Sequence, residues 1–285
     1  MIMKHIADWT VSENSQLSAD FCLLKVCLND ELPEIRPGQF VQILVPNAPH
    51  TFLRRPISVH FVDYDRRELW LLVQIVGDGS RQLSKMQVGE SLNIVYPLGN
   101  GFTLPNPSQG EKGAFLLIGG GAGTAPLLYL GKQLRDLGHQ PTFLLGGRTK
   151  NQLLQLSEFE KYGEVHTTTE DGSLGEKGFV TNHSIIQMYF NDVQKHKSNM
   201  QMHSNGEMQM YLPPLYIYVC GPKPMMMAVA KLAKQNDIPC EVSLENRMAC
   251  GIGACLCCVE KTTYGNACVC TAGPVFNINQ LTWQI

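Results

Sequence analysis

Residues Ala114–Leu130 read AFLLIGGGAGTAPLLYL, and this stretch decides the fold. The apolar run predicts a buried strand, the glycines predict a tight loop, and the residues from Ala125 onward have the spacing of a helix. Pro126 suits the first helical turn, where its missing N–H costs nothing. A buried strand that leads through glycines into a helix places free backbone N–H groups where they bind phosphate. The sequence therefore predicts a nucleotide-binding unit.

The glycine loop only partly matches the GxGxxG pattern, because Pro126 stands at the last position. A tight turn with a purely structural role is the alternative. Glycine lets the backbone approach a pyrophosphate closely, so we favour phosphate binding. The predicted contacts with the nucleotide are Gly119, Gly121, Gly123, Thr124 and Pro126.

The strand–helix pattern repeats downstream, at residues 141–163 and 215–237, and alternation of this kind indicates a parallel α/β sheet. Upstream, five short apolar segments alternate with turn residues, which predicts a small antiparallel β-barrel of five or six strands. The predicted domains are therefore a barrel over 1–104, an α/β nucleotide domain over 105–245 and a small cysteine-bearing segment over 246–285.

The composition excludes several functions. The 285 residues are 44% hydrophobic and 17% charged, with a formal net charge of −2. This balance gives no electrostatic reason to expect nucleic acid or a membrane surface as a partner. No apolar run approaches the roughly 18 residues that span a bilayer, and the N-terminus lacks the pattern of a secretory signal. We expect a cytoplasmic location.

Six of the ten cysteines lie between Cys250 and Cys270. Since cytoplasmic thiols stay reduced, a metal or redox centre is favoured over disulfides. Cys250, Cys255 and Cys258 have the C-x4-C-x2-C spacing of plant-type [2Fe–2S] proteins. A structural zinc site is the alternative, although zinc sites usually use two CxxC pairs. Cys268 and Cys270 both qualify as the fourth ligand, and alternation along an extended segment excludes neither.

The segment 191–214 is polar, rich in methionine and without a clear period. Its two histidines and four methionines allow a copper site, but an exposed insertion between helix and strand is favoured. Cys22 and Cys27 lie in an apolar run and are expected to pack as small hydrophobic residues.

The sequence GAGTAP at 121–126, together with RPIS at 55–58 and CGPKPM at 220–225, resembles the ferredoxin–NADP⁺ reductase superfamily. In that superfamily a flavin barrel precedes a nicotinamide-nucleotide domain. The resemblance implies that Cys220, Gly221 and Pro222 lie beside the nicotinamide. It also implies an FAD site formed by Arg55, Pro56, Ile57, Ser58, Leu72, Val73, Gln74, Gly79 and Ser80.

The cysteine region and the GPVF that follows it, at 273–276, resemble the electron-transfer subunits of NAD-linked dihydroorotate dehydrogenase. The resemblance makes Cys270 the fourth ligand and leaves Cys257 and Cys268 as bystanders. It implies FAD, a [2Fe–2S] cluster and NAD as cofactors. It also implies an FMN-containing, dihydroorotate-oxidising partner subunit in a heterotetramer, with electrons passing from FMN through the cluster and FAD to NAD⁺.

Two alternative functions differ from this one in the partner or in the class of protein. One is the small subunit of NADH-dependent ferredoxin:NADP⁺ oxidoreductase, or a related partner of hydrogenase or glutamate synthase. In that small subunit an aspartate replaces one cysteine ligand, whereas cysteines suffice for all four positions here. A zinc-stabilised binding module on a degenerate reductase fold is the alternative from another class. The sequence indicates no catalytic residue, because the cofactors would carry the electrons.

Overall fold

The computed structural model describes residues 3–105, 113–202 and 214–283. Its first part is a closed six-stranded antiparallel barrel with strand order β1-β2-β5-β4-β3-β6. This confirms the barrel predicted from the sequence. The strands are β1 (His5–Ser18), β2 (Phe21–Cys27), β3 (Phe40–Ile43), β4 (Arg55–Asp63), β5 (Glu68–Gln74) and β6 (Ser91–Leu98), with helix α1 (Asp78–Leu83) between β5 and β6.

Strand β1 is the barrel element that the turn-and-strand pattern did not reveal. It is largely polar, but Trp9 and Val11 alternate inward and are fully buried. Two inward residues two positions apart are the signal of a strand with one buried face. Helix α1 lies in a segment whose residues predict a turn. Cys22 is buried in the barrel, as expected, and Cys27 is half-buried.

The second part is a seven-stranded sheet of order β10-β9-β8-β7-β11-β12-β15, in which β15 (Val275–Asn277) comes from the C-terminal segment. Every neighbouring pair in it is parallel except β12 and β15. The parallel strands are β7 (Ala114–Gly120), β8 (Thr142–Gly147), β9 (Glu164–Thr169), β10 (Glu176–Lys177), β11 (Leu215–Cys220) and β12 (Cys240–Ser243). The helices between them are α2 (Ala125–Asp136), α3 (Leu156–Glu160), α4 (Ser184–Met202) and α5 (Lys223–Gln235). The predicted α/β sheet is therefore present.

The strand–helix repeat predicted over 141–163 places its helix after the strand, over 151–163, and this helix is wrong in extent. Only Leu156–Glu160 is α-helical, after a 3₁₀ turn at Lys150–Gln152. Gln155 takes a left-handed conformation, with φ of 53°, and its side chain contacts His60 of the barrel. The left-handed Gln155 separates this 3₁₀ turn from α3, so the chain does not continue as one regular helix.

The C-terminal segment packs against both other parts. It contains the hairpin β13 (Val259–Thr262) and β14 (Gly265–Cys268), helix α6 (Val269–Ala272) and strand β15 (Val275–Asn277). Strand β15 pairs antiparallel with β12 and completes the sheet. The N–H of Asn100, after the barrel, donates to the carbonyl of Gly273 at 2.6 Å. The predicted segment 246–285 thus contributes a strand to the nucleotide domain.

Helix α4 extends into the segment predicted as an exposed insertion. Residues 191–202 continue the helix. The side chains of residues 195–202, and residues 203–213 as a whole, lie outside the described residues. The copper-site alternative falls on those positions. Among the residues that the structure describes, no helix is long and apolar enough to cross a membrane.

His60 connects the barrel to the first turn of α2. Its ring is fully buried, with Nδ1 2.7 Å from the carbonyl oxygen of Ala125 and Nε2 2.9 Å from the Gln155 side chain. Burial lowers the pKa of this histidine, although the bonds to Ala125 and Gln155 oppose the shift. Both partners are oxygen acceptors, so a neutral ring, which has one N–H, can donate to only one of them.

We expect this histidine to make the fold less stable in acid. The unfolded chain takes up the proton near pH 6.5 and the folded chain only at lower pH, so stability falls as the pH drops below 6.5. The loss is at most about 1.4 kcal/mol per pH unit. Urea unfolding between pH 8 and 5 should show a steeper acid loss for the unmodified protein than for His60→Gln. Equal slopes for the two proteins would contradict this prediction.

Candidate functional site

A cavity of about 340 Å³ opens where the barrel, the glycine loop and the C-terminal segment meet. The barrel supplies the ends of β4 and β5 and the turn that begins α1. The α/β domain contributes Ala122 and Ala125, and the chain that follows β12 contributes Leu244, Glu245 and Asn246. The cavity therefore joins all three parts of the chain, which suits a cofactor that exchanges electrons with two others.

The structure brings eight of the nine residues predicted to bind FAD to this cavity. These are Arg55, Pro56, Ile57, Ser58, Leu72, Gln74, Gly79 and Ser80. Val73 is the exception, since its side chain is fully buried in the barrel core. Successive side chains of a strand point to opposite faces, which explains why Leu72 and Gln74 reach the cavity and Val73 does not.

The two adjacent arginines have different surroundings. Arg54 donates to the carbonyl oxygen of Asn93 at 2.9 Å and to its side-chain oxygen at 2.5 Å, so it holds β6 in place. Arg55 lines the cavity, and a Cβ added to Gly79 would lie 2.8 Å from its Nε. Glycine at position 79 thus lets the guanidinium pack against the start of α1. A planar guanidinium is well suited to phosphate oxygens.

Ser80 shapes the turn that borders the cavity. Its hydroxyl oxygen accepts the N–H groups of Val76 at 2.9 Å and Gly77 at 3.1 Å. The same hydroxyl lies 3.1 Å from the carbonyl oxygen of Gly77, to which it donates. Ser80 is therefore occupied in holding the turn, and any bond from its hydroxyl to a phosphate would compete with the bond to Gly77.

The structure also brings the two predicted nicotinamide segments together. A Cβ on Gly123 would lie 2.4 Å from the backbone nitrogen and Cα of Gly221. This close approach requires glycine at position 123. Thr124 closes the loop by donating to the carbonyl of Gly121 at 3.0 Å. Gly119 pairs with Cys220 in the sheet register, so both segments leave the same edge of the sheet.

The two prolines of these segments lie differently. Pro126 is buried in the first turn of α2, as predicted from its position, whereas Pro222 is exposed. The glycine loop, Cys220 and Gly221 stand at the carboxyl ends of adjacent parallel strands, the position at which α/β sheets bind ligands.

Glu245 is a cavity residue that the sequence interpretation missed. It lies two residues beyond the end of β12, at the same sheet edge as Cys220, and lines the cavity. Desolvation raises the pKa of its carboxyl. Burial, followed by the charge of Glu245, raises the pKa of Cys220 well above its usual value. A titratable residue within two positions of the end of a parallel strand was the available signal.

The predicted cluster ligands lie in a loop whose backbone points N–H groups at sulfur. Cys250 Sγ accepts from Ile252 at 3.5 Å and from Cys255 at 3.4 Å. Cys270 Sγ accepts from Gly253 at 3.2 Å. Such bonds stabilise thiolates, and they recur around iron–sulfur centres.

Burial and these hydrogen bonds shift the pKa values of the thiols. Burial alone would raise the pKa of Cys250, but the N–H groups of Ile252 and Cys255 outweigh it and lower the pKa to about 6. Burial, followed by the neighbouring Cys258, raises the pKa of Cys270 to about 12. Binding of iron must therefore displace a proton from Cys270. A thiolate already favoured at Cys250 fits a metal–sulfur centre.

Cys268 and Cys270 face different groups. Cys270 is fully buried and its N–H donates to Cys258 Sγ at 3.4 Å. Cys268 Sγ lies 4.0 Å from the carbonyl oxygen of Gly253, a group that can only accept. Cys257 is exposed and contacts the carbonyl of Arg247.

In the described ranges, no three His, Cys, Asp or Glu side chains are placed to hold a single metal ion. A two-iron cluster divides four thiolates between two metal atoms. The amide bonds to the sulfurs therefore support the fit of the cysteines to the [2Fe–2S] cluster.

Two family models match the chain. Residues 245–282 match the iron–sulfur cluster binding domain of dihydroorotate dehydrogenase B, and residues 117–231 match the oxidoreductase NAD-binding domain. The chain is similar to a protein of Fusobacterium nucleatum named dihydroorotate dehydrogenase B (NAD(+)), electron transfer subunit. The two are 35% identical over 95% of this chain and 96% of the relative. A protein of the same name from Desulforamulus reducens is 38% identical over 87% of each chain.

Solved structures have the same architecture. A chain of NADH-dependent reduced ferredoxin-NADP oxidoreductase, studied for flavin-based electron bifurcation, superposes with a TM-score of 0.77 and 26% identity. The match covers 97% of this chain and 90% of that one. Phthalate dioxygenase reductase, at 17% identity, gives a TM-score of 0.58 over 80% of this chain and 64% of that one, and so shares the fold.

Proposed function

The chain belongs to the family of dihydroorotate dehydrogenase B electron transfer subunits, and from that premise we propose that it passes electrons from a dihydroorotate-oxidising partner to NAD⁺. The observation that carries the proposal is one cavity bordered by the barrel, the glycine loop and the cysteine-bearing segment. The chain would serve pyrimidine biosynthesis as a subunit of an NAD-dependent oxidoreductase.

The cofactors divide the electron chemistry: a nicotinamide exchanges a hydride, a [2Fe–2S] cluster exchanges single electrons, and FAD placed between them does both. In this chain Arg55 would hold the FAD pyrophosphate, and the turn at Gly79 and Ser80 would border it. Ile57, Ser58, Leu72 and Gln74 would line the flavin. Val73 would support this site from the barrel core.

The nucleotide site would use backbone more than side chains. Gly123 and Gly221 lie close together at the carboxyl ends of adjacent strands, where NAD would bind. Cys220 stays a neutral thiol, because burial and the nearby carboxyl of Glu245 both disfavour its charged form.

The cluster would be held by Cys250, Cys255, Cys258 and Cys270. Its loop has exposed apolar side chains, with Ile252 50% and Leu256 65% accessible. Apolar groups around a redox centre suit contact with another protein. We therefore propose that an FMN-containing catalytic subunit docks at this loop, in a heterotetramer of two subunit types. The need for reduced thiols supports a cytoplasmic location.

The purified chain should oxidise NADH with an artificial electron acceptor but should not turn over dihydroorotate. The first reaction needs only the nucleotide, FAD and cluster sites of this chain, whereas the second needs a substrate site on the partner. Absorbance assays with each substrate test both statements. Dihydroorotate oxidation by the chain alone would contradict the proposed division of labour, and a colourless protein without flavin would contradict the relay.

A further inference from the structure

Gln42 is a buried amide without a partner. Its side chain, on strand β3, is fully buried. Neither Nε2 nor Oε1 has a hydrogen-bond partner among the residues that the structure describes. Burying an amide without a compensating bond costs free energy, so an orphaned amide in a well-packed barrel wall calls for a function.

Gln39, three residues earlier, shows the usual solution in the same part of the barrel. It is also fully buried, but its Nε2 donates to the carbonyl of Gly99 at 2.8 Å. Its Oε1 accepts the N–H of Arg36 at 2.7 Å. Among the described residues, both polar atoms of the Gln39 side chain therefore have a partner, whereas neither polar atom of Gln42 has one.

Beside Gln42 lies the loop that carries the predicted cluster ligands Cys250, Cys255 and Cys258. A Cβ added to Gly251 would lie 2.8 Å from both Cγ and Nε2 of Gln42. Gly251 has a positive φ of 69° and directly follows Cys250. Glycine here lets the loop bend around the sulfur and lets the amide approach the loop. The unpaired amide is thus packed against the segment that bears the first cluster ligand.

We propose that the Gln42 side chain donates a hydrogen bond to a sulfur of the [2Fe–2S] centre and raises its reduction potential. Cluster sulfurs are acceptors, and the amide has free donors. One-electron reduction adds negative charge to the centre, so a donor stabilises the reduced form more than the oxidised form. The bond would also fix which end of the amide faces Gly251. This inference rests on the proposed function, because it needs the cluster.

The test is an EPR-monitored redox titration of the cluster-loaded chain. Gln42→Leu removes the donors at similar volume and should lower the midpoint potential. A tenfold fall in the equilibrium constant for reduction corresponds to about 59 mV for one electron. Gln39→Leu removes an equally buried amide that has its own partners, and it should leave the potential unchanged. Gln42→Met is the second variant if the first binds the cluster poorly.

The outcomes separate this inference from the proposed function. Cluster-loaded Gln42 variants whose potential equals that of the unmodified protein, or exceeds it, would overturn the inference. A similar fall in Gln39→Leu would also overturn it, because the effect would then be one of general packing. If the unmodified chain gives no [2Fe–2S] signal at all, the proposed function fails instead.

Discussion

Replacing Cys270 with serine is expected to abolish the [2Fe–2S] signal, whereas replacing Cys268 should leave it. Cys270 is fully buried, accepts the N–H of Gly253 at its sulfur and donates its own N–H to Cys258. Loss of a ligand should weaken the cluster by more than the roughly 10–100-fold that changes behind the ligands cost.

Cys268 is the matched control, two residues away in the same segment. Its sulfur faces the carbonyl oxygen of Gly253, which can accept a thiol hydrogen but cannot support a thiolate. Iron content, visible absorbance and EPR of the two serine variants give the answer. A cluster that survives in Cys270→Ser and disappears in Cys268→Ser would reverse the assignment.

The second large effect concerns Gly123. An alanine there would place its Cβ 2.4 Å from the backbone of Gly221, and backbone atoms cannot move aside as a flexible side chain can. The two nucleotide segments would be forced apart. A misplacement of about 1 Å can cost about 100-fold in rate, so we expect a loss of that order in kcat/KM for NADH oxidation.

Gly138→Ala controls for the general cost of replacing a glycine. Gly138 follows α2, has a positive φ of 86°, and has open space where a Cβ would stand. We expect the kcat/KM of Gly138→Ala for NADH oxidation to stay near that of the unmodified protein. The flavin and cluster spectra of Gly123→Ala should also remain, because the residues proposed to hold FAD and the cluster lie on the barrel, α1 and the C-terminal segment. Unchanged kcat/KM in Gly123→Ala would show that the close approach does not matter.

The sequence predicted those parts of the fold that have a strong local pattern. Ala114–Gly120 and Ala125–Asp136 follow from apolar runs broken by glycine and proline. The polar strand His5–Ser18 has only Trp9 and Val11 to mark its buried face. Its pairing with two distant strands decides its structure, and a local pattern does not contain that information.

The sequence could predict a site residue where its type, in that pattern, is commonly used for a single purpose. RPIS, at the start of β4, and Gly79, in α1, were predicted to contact FAD, and the structure brings them to one cavity. Gln42 and Glu245 could not be selected in this way, since glutamine and glutamate are common on surfaces. The significance of Gln42 depends on its burial beside Gly251, and that of Glu245 on its place in the cavity near Cys220. Both neighbours are distant in the sequence.

The most direct test of the relay uses the chain purified with its natural partners under anaerobic conditions. Dihydroorotate and NAD⁺ are added together, and NADH is followed by its absorbance. We predict NADH formation that requires both additions and that is lost when the chain carries Cys270→Ser. No NADH from a partner-bound preparation that holds flavin and cluster and oxidises NADH would contradict the proposed electron donor, and would favour a ferredoxin- or hydrogenase-linked partner.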